Sequence, residues 1–344
     1  MSGTIDTDAF SARLRARAVK VNERQLLIAR IGASEQAADL KEPANCDGFG
    51  RIRHFVRDHG SDWPRNPLPI DPASRALGLR DEDTLDAQVF QNAACNWRCW
   101  YCFVPFRLLD AVEDTGAWLR AEDLVDLYLR EPEATRRRMI DLTGGQPDLV
   151  PEWVPWTMEA LRARNLGGKV FLWSDDNLSN DYFWRYLSNA QQELVATFPA
   201  YGRVACFKGF DDASFAFNTE ADPTLFSRQF DLFGRLLSTG MDLYGYVTLT
   251  TPNGTGIDDA MARFVDRLQA IHENLPLRTV PLKIGAWGVV KKRLASFPES
   301  RTELYNRAMV NQQRAVEAWN RQLEARFSSD LRATSIVDVP MRPR

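Results

Sequence analysis

The stretch that decides how this chain reads is Cys95-Asn96-Trp97-Arg98-Cys99-Trp100-Tyr101-Cys102, a C-x3-C-x2-C spacing placed directly after an apolar run at 87–92. Three thiolates on one short loop can wrap a single metal centre, and soft sulfur favours zinc or an iron–sulfur cluster. A structural zinc site wants four ligands in a closed tetrahedron. No fourth cysteine or histidine lies nearby in sequence, so His54 or His59 would have to fold back to complete one. A [4Fe–4S] cluster takes four thiolates, one for each iron, and three leave one iron open to an outside ligand. The remaining cysteines, Cys46 and Cys206, make an odd total of five, which suits metal ligation in a reducing compartment better than a disulfide framework.

Outward from this loop the chain alternates short strands with longer amphipathic helices. Strands are expected at 87–92, 139–143, 169–173, 203–208, 243–249 and 279–284. Helices are expected at 118–129, 152–163, 182–191, 224–238 and 258–271. Such alternation gives a parallel sheet covered by helices, either doubly wound or curled into a partial barrel. Residues 1–84 read as an irregular extension with one basic helix over 9–31, its arginines on a solvated face, and a loop over 61–78. Residues 302–327 carry a helical apolar stripe that predicts a packing helix.

The 344 residues suit two domains, or one barrel with extensions. Forty-three basic against 46 acidic residues leave a net charge of −3, so no global basic field points to nucleic acid. No apolar run approaches a membrane span and the polar start is no signal peptide, from which a cytoplasmic protein without membrane contact is expected.

A second motif follows the second expected strand: Gly144-Gly145-Gln146-Pro147. Alone it reads as a turn. At a strand end, glycines let backbone approach a ligand without a Cβ in the way. The third strand ends in Ser174-Asp175, residues that suit either a ligand or a helix N-cap, and the fourth ends at Lys208.

In the cysteine loop and the glycine segment the chain resembles the radical SAM superfamily, over roughly residues 85–290. The resemblance implies a partial parallel (β/α)6 barrel, with an N-terminal extension over 1–84 and a C-terminal helical extension over 291–344. It implies a [4Fe–4S] cluster on Cys95, Cys99 and Cys102, with S-adenosylmethionine chelating the open iron. One-electron reduction would then give a 5′-deoxyadenosyl radical that abstracts hydrogen from the substrate. Tyr101 would lie near the adenine, and Gly144, Gly145, Gln146 and Pro147 would bind the methionyl ammonium, mostly through backbone. The family has Gly-Gly-Glu-Pro there. Gln146 departs from it, and its side chain is expected to matter little. Ser174, Asp175 and Lys208 are further expected contacts to the cofactor. A bulky residue at Gly145 is expected to weaken cofactor binding without touching the cysteine loop. The expected partners are a small-molecule or nucleotide- or sugar-like substrate and a one-electron donor such as flavodoxin or ferredoxin. The alternatives are an enzyme modifying RNA, a peptide or a protein, and a non-catalytic zinc or cluster module.

Overall fold

A computed structural model describes residues 4–60, 62–80 and 82–341 of the chain. Its strands, in chain order, are β1 (Val19–Lys20), β2 (Gln25–Ala29), β3 (Gly50–Val56), β4 (Thr84–Phe90), β5 (Gly116–Arg120), β6 (Met139–Leu142), β7 (Phe171–Asp176), β8 (Tyr201–Phe207), β9 (Leu243–Thr248) and β10 (Thr279–Leu282). The main sheet runs β10-β9-β8-β7-β6-β4-β3, and every pair in it is parallel except β3 with β4. Six parallel strands in chain order, with a helix packed after each crossover, form the expected partial (β/α)6 barrel. β3 adds one antiparallel strand at its edge.

Side chains alternate along these strands with a period of two, and that period sorts them into two cores. Ala87, Met139, Phe171, Trp173, Val204, Cys206, Tyr244, Tyr246 and Val280 pack inside the curl, against Phe55 of β3. Their neighbours Ile140, Leu142, Leu172, Ala205, Phe207, Leu243 and Val247 point outward. There they meet the helices Ala121–Leu129, Trp153–Ala163, Leu225–Leu237 and Ile257–Ile271. With both faces covered, β8 is buried at every position, as parallel strands usually are. The C-terminal helix Glu299–Arg326 lies on Ile257–Ile271, where Trp319 meets Phe264.

The first 84 residues are far more ordered than their sequence suggests. The basic helix ends at Ala18, and β1, β2 and β5 then form a separate three-stranded antiparallel sheet. Helix Ile70–Leu77 replaces the second part of the expected loop over 61–78, whose first residue, Ser61, lies outside the described residues. Not every leader arginine is solvated. Arg15 is buried, forms a two-armed pair with Glu152 and lies over the ring of Tyr186. Among the described residues no helix is long and apolar enough to cross a membrane.

Candidate functional site

The cysteine loop leaves β4 at the carboxyl end of the parallel strands, where α/β folds place their ligands. Segments from the whole chain hold it. Arg293, on helix Gly288–Ala295, donates to the carbonyls of Trp100 (2.9 Å), Cys102 (2.8 Å) and Val104 (3.0 Å). Arg98 donates to the Cys95 carbonyl at 2.7 Å and pairs with Asp110. From the N-terminal helix, Thr7 accepts the Trp97 indole N–H at 3.1 Å and Ser11 accepts the Asn96 amide at 2.9 Å. Trp100 stacks on Tyr305 and donates to Asn218 at 3.0 Å. Every loop carbonyl bonded in this way fixes a backbone turn without using a thiol.

All five cysteines are free. Burial pushes the thiols of Cys95, Cys99 and Cys102 up, and the charge of Lys208 acts the other way on each. Such thiols stay protonated until a cation displaces the protons, which a coordinated metal does outright. Among the described residues the three sulfurs are not all within 4.8 Å of one another, the reach of three ligands on one ion. Three thiols are one short of a closed tetrahedral zinc site, whereas a [4Fe–4S] cluster takes one thiolate per iron and this donor set would leave one iron open. Nor do the histidines supply a fourth ligand. His54 bonds Asp86 at 2.7 Å near the start of β4, with Arg137 already beside Asp86 and Glu42. The His59 carbonyl accepts from Lys283.

The glycine segment is built for close packing. Gly144 and Gly145 have φ of +79° and +89°, a region that L side chains rarely adopt. A Cβ on Gly144 would lie 2.5 Å from Gln91 Oε1. On Gly145 it would lie 2.0 Å from Asn92 Oδ1 and 2.6 Å from the Ala94 carbonyl. Thus Gly145 abuts the residues just before Cys95, and the expectation that the two segments behave independently is corrected.

Gln146 also differs from its sequence reading. It is buried, its amide donates to Asp176 at 2.8 Å, and its side-chain carbonyl accepts the Asn177 N–H at 2.9 Å. A glutamate here would set a carboxylate against Asp176. Pro147 opens a short helical turn beneath. Asp148 in that turn pairs with the fully buried Arg203 at 2.9 Å.

The fold brings Cys95, Cys99, Cys102, Tyr101, Gly144, Gly145, Asp175 and Lys208 to one edge of the half-barrel. Tyr101 reaches across to Thr248 at the end of β9, hydroxyl to hydroxyl at 3.1 Å. Burial works to lower the Lys208 ammonium, and the groups facing it, Cys206, Tyr101, Cys99 and Cys95, raise it well above its ordinary value. Ser174 is not part of this group: it faces the helices and bonds the Tyr201 hydroxyl at 2.7 Å. Sequence reading missed Arg293 and the inward-facing Arg51, Arg53, Gln91 and Asp141. For the last four the usable signal was alternation on β3, β4 and β6; for Arg293 there was none.

No family model and no curated protein matches the chain. Among solved structures, three of SuiB from Streptococcus suis match at 15% identity. One is bound to S-adenosylmethionine (TM-score 0.39, 53% of this chain and 37% of that one). A second is bound to its precursor peptide SuiA (0.37, 52% and 36%), and the third is a further crystal structure of SuiB (0.38, 53% and 36%). The chain therefore spans somewhat over a third of the length of these proteins. Against the complex with a precursor peptide, the expected small-molecule partner is withdrawn.

Proposed function

We propose that this chain is a radical SAM enzyme that acts on a peptide or protein. The observation that carries the radical reading is the cysteine loop itself. Three free thiols, that of Cys99 buried and those of Cys95 and Cys102 half-buried, stand at the carboxyl edge of six parallel strands, beside a positive-φ glycine pair and with no fourth ligand among the described residues. This donor set fits a [4Fe–4S] cluster with one iron left for S-adenosylmethionine. When bound, the two supply reductive cleavage of the sulfonium and hydrogen abstraction from the substrate.

The chain's own residues do the rest. Cys95, Cys99 and Cys102 would hold the cluster on a loop that Arg293 and Arg98 fix through its carbonyls. Gly144 and Gly145 let this segment pack against Gln91, Asn92 and Ala94, so its backbone groups would border the cofactor beside the cysteine loop. Lys208 supplies a positive charge facing the thiolates. The peptide alternative takes the place of the withdrawn small molecule, since SuiB is a protein whose structure has been solved with a precursor peptide. Anaerobic reconstitution with iron and sulfide, followed by dithionite and S-adenosylmethionine, tests the reading. It requires about four irons per chain and release of 5′-deoxyadenosine. A colourless protein that releases none overturns it.

A further inference from the structure

Inside the curl, β3, β4, β6 and β7 share a polar wall of which the cofactor reading uses only Asp175. Arg51 lies opposite Val89 in the β3–β4 register, and Val89 lies opposite Asp141 in β4–β6. Arg53, two residues along on the same face, donates to Asp141 at 3.1 Å. Gln91 is two residues beyond Val89 and packs on Gly144. Asp175 of β7 accepts the Thr143 hydroxyl. The wall adjoins the cysteine loop: the Arg51 guanidinium carbon is 5.2 Å from the ring centre of Phe103, the residue after Cys102.

These side chains are buried yet only partly matched. Arg51 is 6% exposed and Gln91 and Asp141 are fully buried. Among the described residues, Arg51 Nε, both polar atoms of the Gln91 amide, Asp141 Oδ1 and Asp175 Oδ1 have no hydrogen-bond partner. Leaving buried donors and acceptors unmatched is costly, more so for a charged group. Burial and the charge of Asp175 push Asp141 up to about 7. Burial and the neighbouring Arg53 bring Arg51 down to about 10, with Asp141 and Asp175 acting the other way. Arg53 and Asp175 are only part-buried, so the wall opens to solvent.

We propose that this wall seats a carboxylate of the substrate, gripped by the Arg51 guanidinium and oriented by the Gln91 amide. The inference rests on the peptide reading, so the carboxylate is that of an acidic side chain or of a C-terminus. A guanidinium fork meets a carboxylate with two parallel bonds, and the Gln91 amide N–H supplies a third donor. The free oxygens of Asp141 and Asp175 then face peptide N–H groups.

Calorimetry on the cluster-loaded protein with three short peptides tests it: Ac-Ala-Glu-Ala-NH2, its neutral Gln counterpart, and Ac-Ala-Ala-Ala with a free C-terminus. One of the two charged peptides should bind at least tenfold more tightly than the neutral one, and which one does so identifies the source. Arg51→Met should erase the preference. Should that variant fail to fold, Gln91→Glu replaces it, because a carboxylate built in beside Arg51 should occupy the guanidinium and erase the preference equally. Equal binding of all three peptides, no binding at millimolar concentration, or a preference that survives both variants would overturn the proposal. So would weakened S-adenosylmethionine binding in Arg51→Met with peptide binding unchanged, which assigns the guanidinium to the cofactor. Iron content and 5′-deoxyadenosine release by the wild-type protein report on the radical reading separately.

Discussion

The backbone N–H of Gln146 donates to the carbonyl of Ala94 at 2.7 Å, tying the glycine segment to the residue before Cys95. The Asn92 side chain adds a second tie, donating to the Gln146 carbonyl at 2.8 Å. Two motifs some fifty residues apart in sequence therefore form one structural unit.

Gly145→Val should damage both functions of that unit together. Its Cβ would meet the Ala94 carbonyl at 2.6 Å, and positive φ adds strain on the order of 1–3 kcal/mol. Iron content after reconstitution and S-adenosylmethionine affinity should fall in parallel. Full iron content with only the affinity lost would show that the segments are separate after all.

Gln146 is expected to matter through its side chain. Gln146→Ala deletes two buried hydrogen bonds and should cost about 1–3 kcal/mol in urea unfolding. Gln146→Glu should be the worse of the two at neutral pH, because it faces the new carboxylate toward Asp176. A glutamate variant as stable as wild type would refute that repulsion.

Alanine at Cys95, Cys99 or Cys102 should each abolish 5′-deoxyadenosine release and lower bound iron. Cys206→Ala and Cys46→Ala should keep the iron. Cys206 faces the inner core and Cys46 sits in a short turn before β3. Iron and sulfide assays on the five variants decide the matter.

Arg203 is a structural cation. Its guanidinium is 1% exposed, bonds Asp148 at 2.9 Å and lies 3.6 Å from Asp176. Arg203→Met leaves two buried carboxyls without their counter-charge and should cost about 3–5 kcal/mol. The denaturant midpoint should drop with little change in slope.

Asp141 makes stability depend on pH in a defined direction. Burial, then the charge of Asp175, raises the folded group to about 7, while an unfolded aspartate titrates near 4. Between those values the folded chain holds a proton that the unfolded chain has released, so this group's contribution is lost as pH rises from about 4 to 7. Asp141→Asn has no such loss. Its unfolding free energy relative to wild type should climb across that window and level off above it. Parallel curves at pH 4.5, 6 and 7.5 would contradict the shift.

The six parallel strands were legible because each is an apolar run ending in polar or glycine residues. β3 was not, because its pattern is inverted: Arg51 and Arg53 point into the barrel and Ile52 and His54 point away. A pattern read for solvated charges takes such a strand for surface. The same blindness hid Asp141, an acid inside a buried strand. At the end of β7, alternation separates Asp175, which faces the interior, from Ser174, which does not, and sequence treated the two alike. Gln146 seemed idle because its partners Asp176 and Asn177 lie thirty residues on, across a strand crossing. The cysteine loop was readable since its chemistry is local, whereas its clamp, Arg293, comes from 191 residues beyond Cys102.

Below the polar wall, the chain between β3 and β4 packs across the inner face of the curl, from β10 to the amino ends of β6 and β7. The Trp63 indole donates to the Pro281 carbonyl at 3.0 Å, the Asn66 amide donates to the Tyr246 hydroxyl at 3.2 Å, and that hydroxyl lies 3.2 Å from the Leu68 carbonyl. Leu68, Ile70 and Ala73 complete the seal against Met139, Phe171 and Tyr246. The amino end of the half-barrel is therefore filled by apolar side chains. At that end the interior is filled by this segment's own side chains, so loosening the chain between β3 and β4 would empty the half-barrel from below.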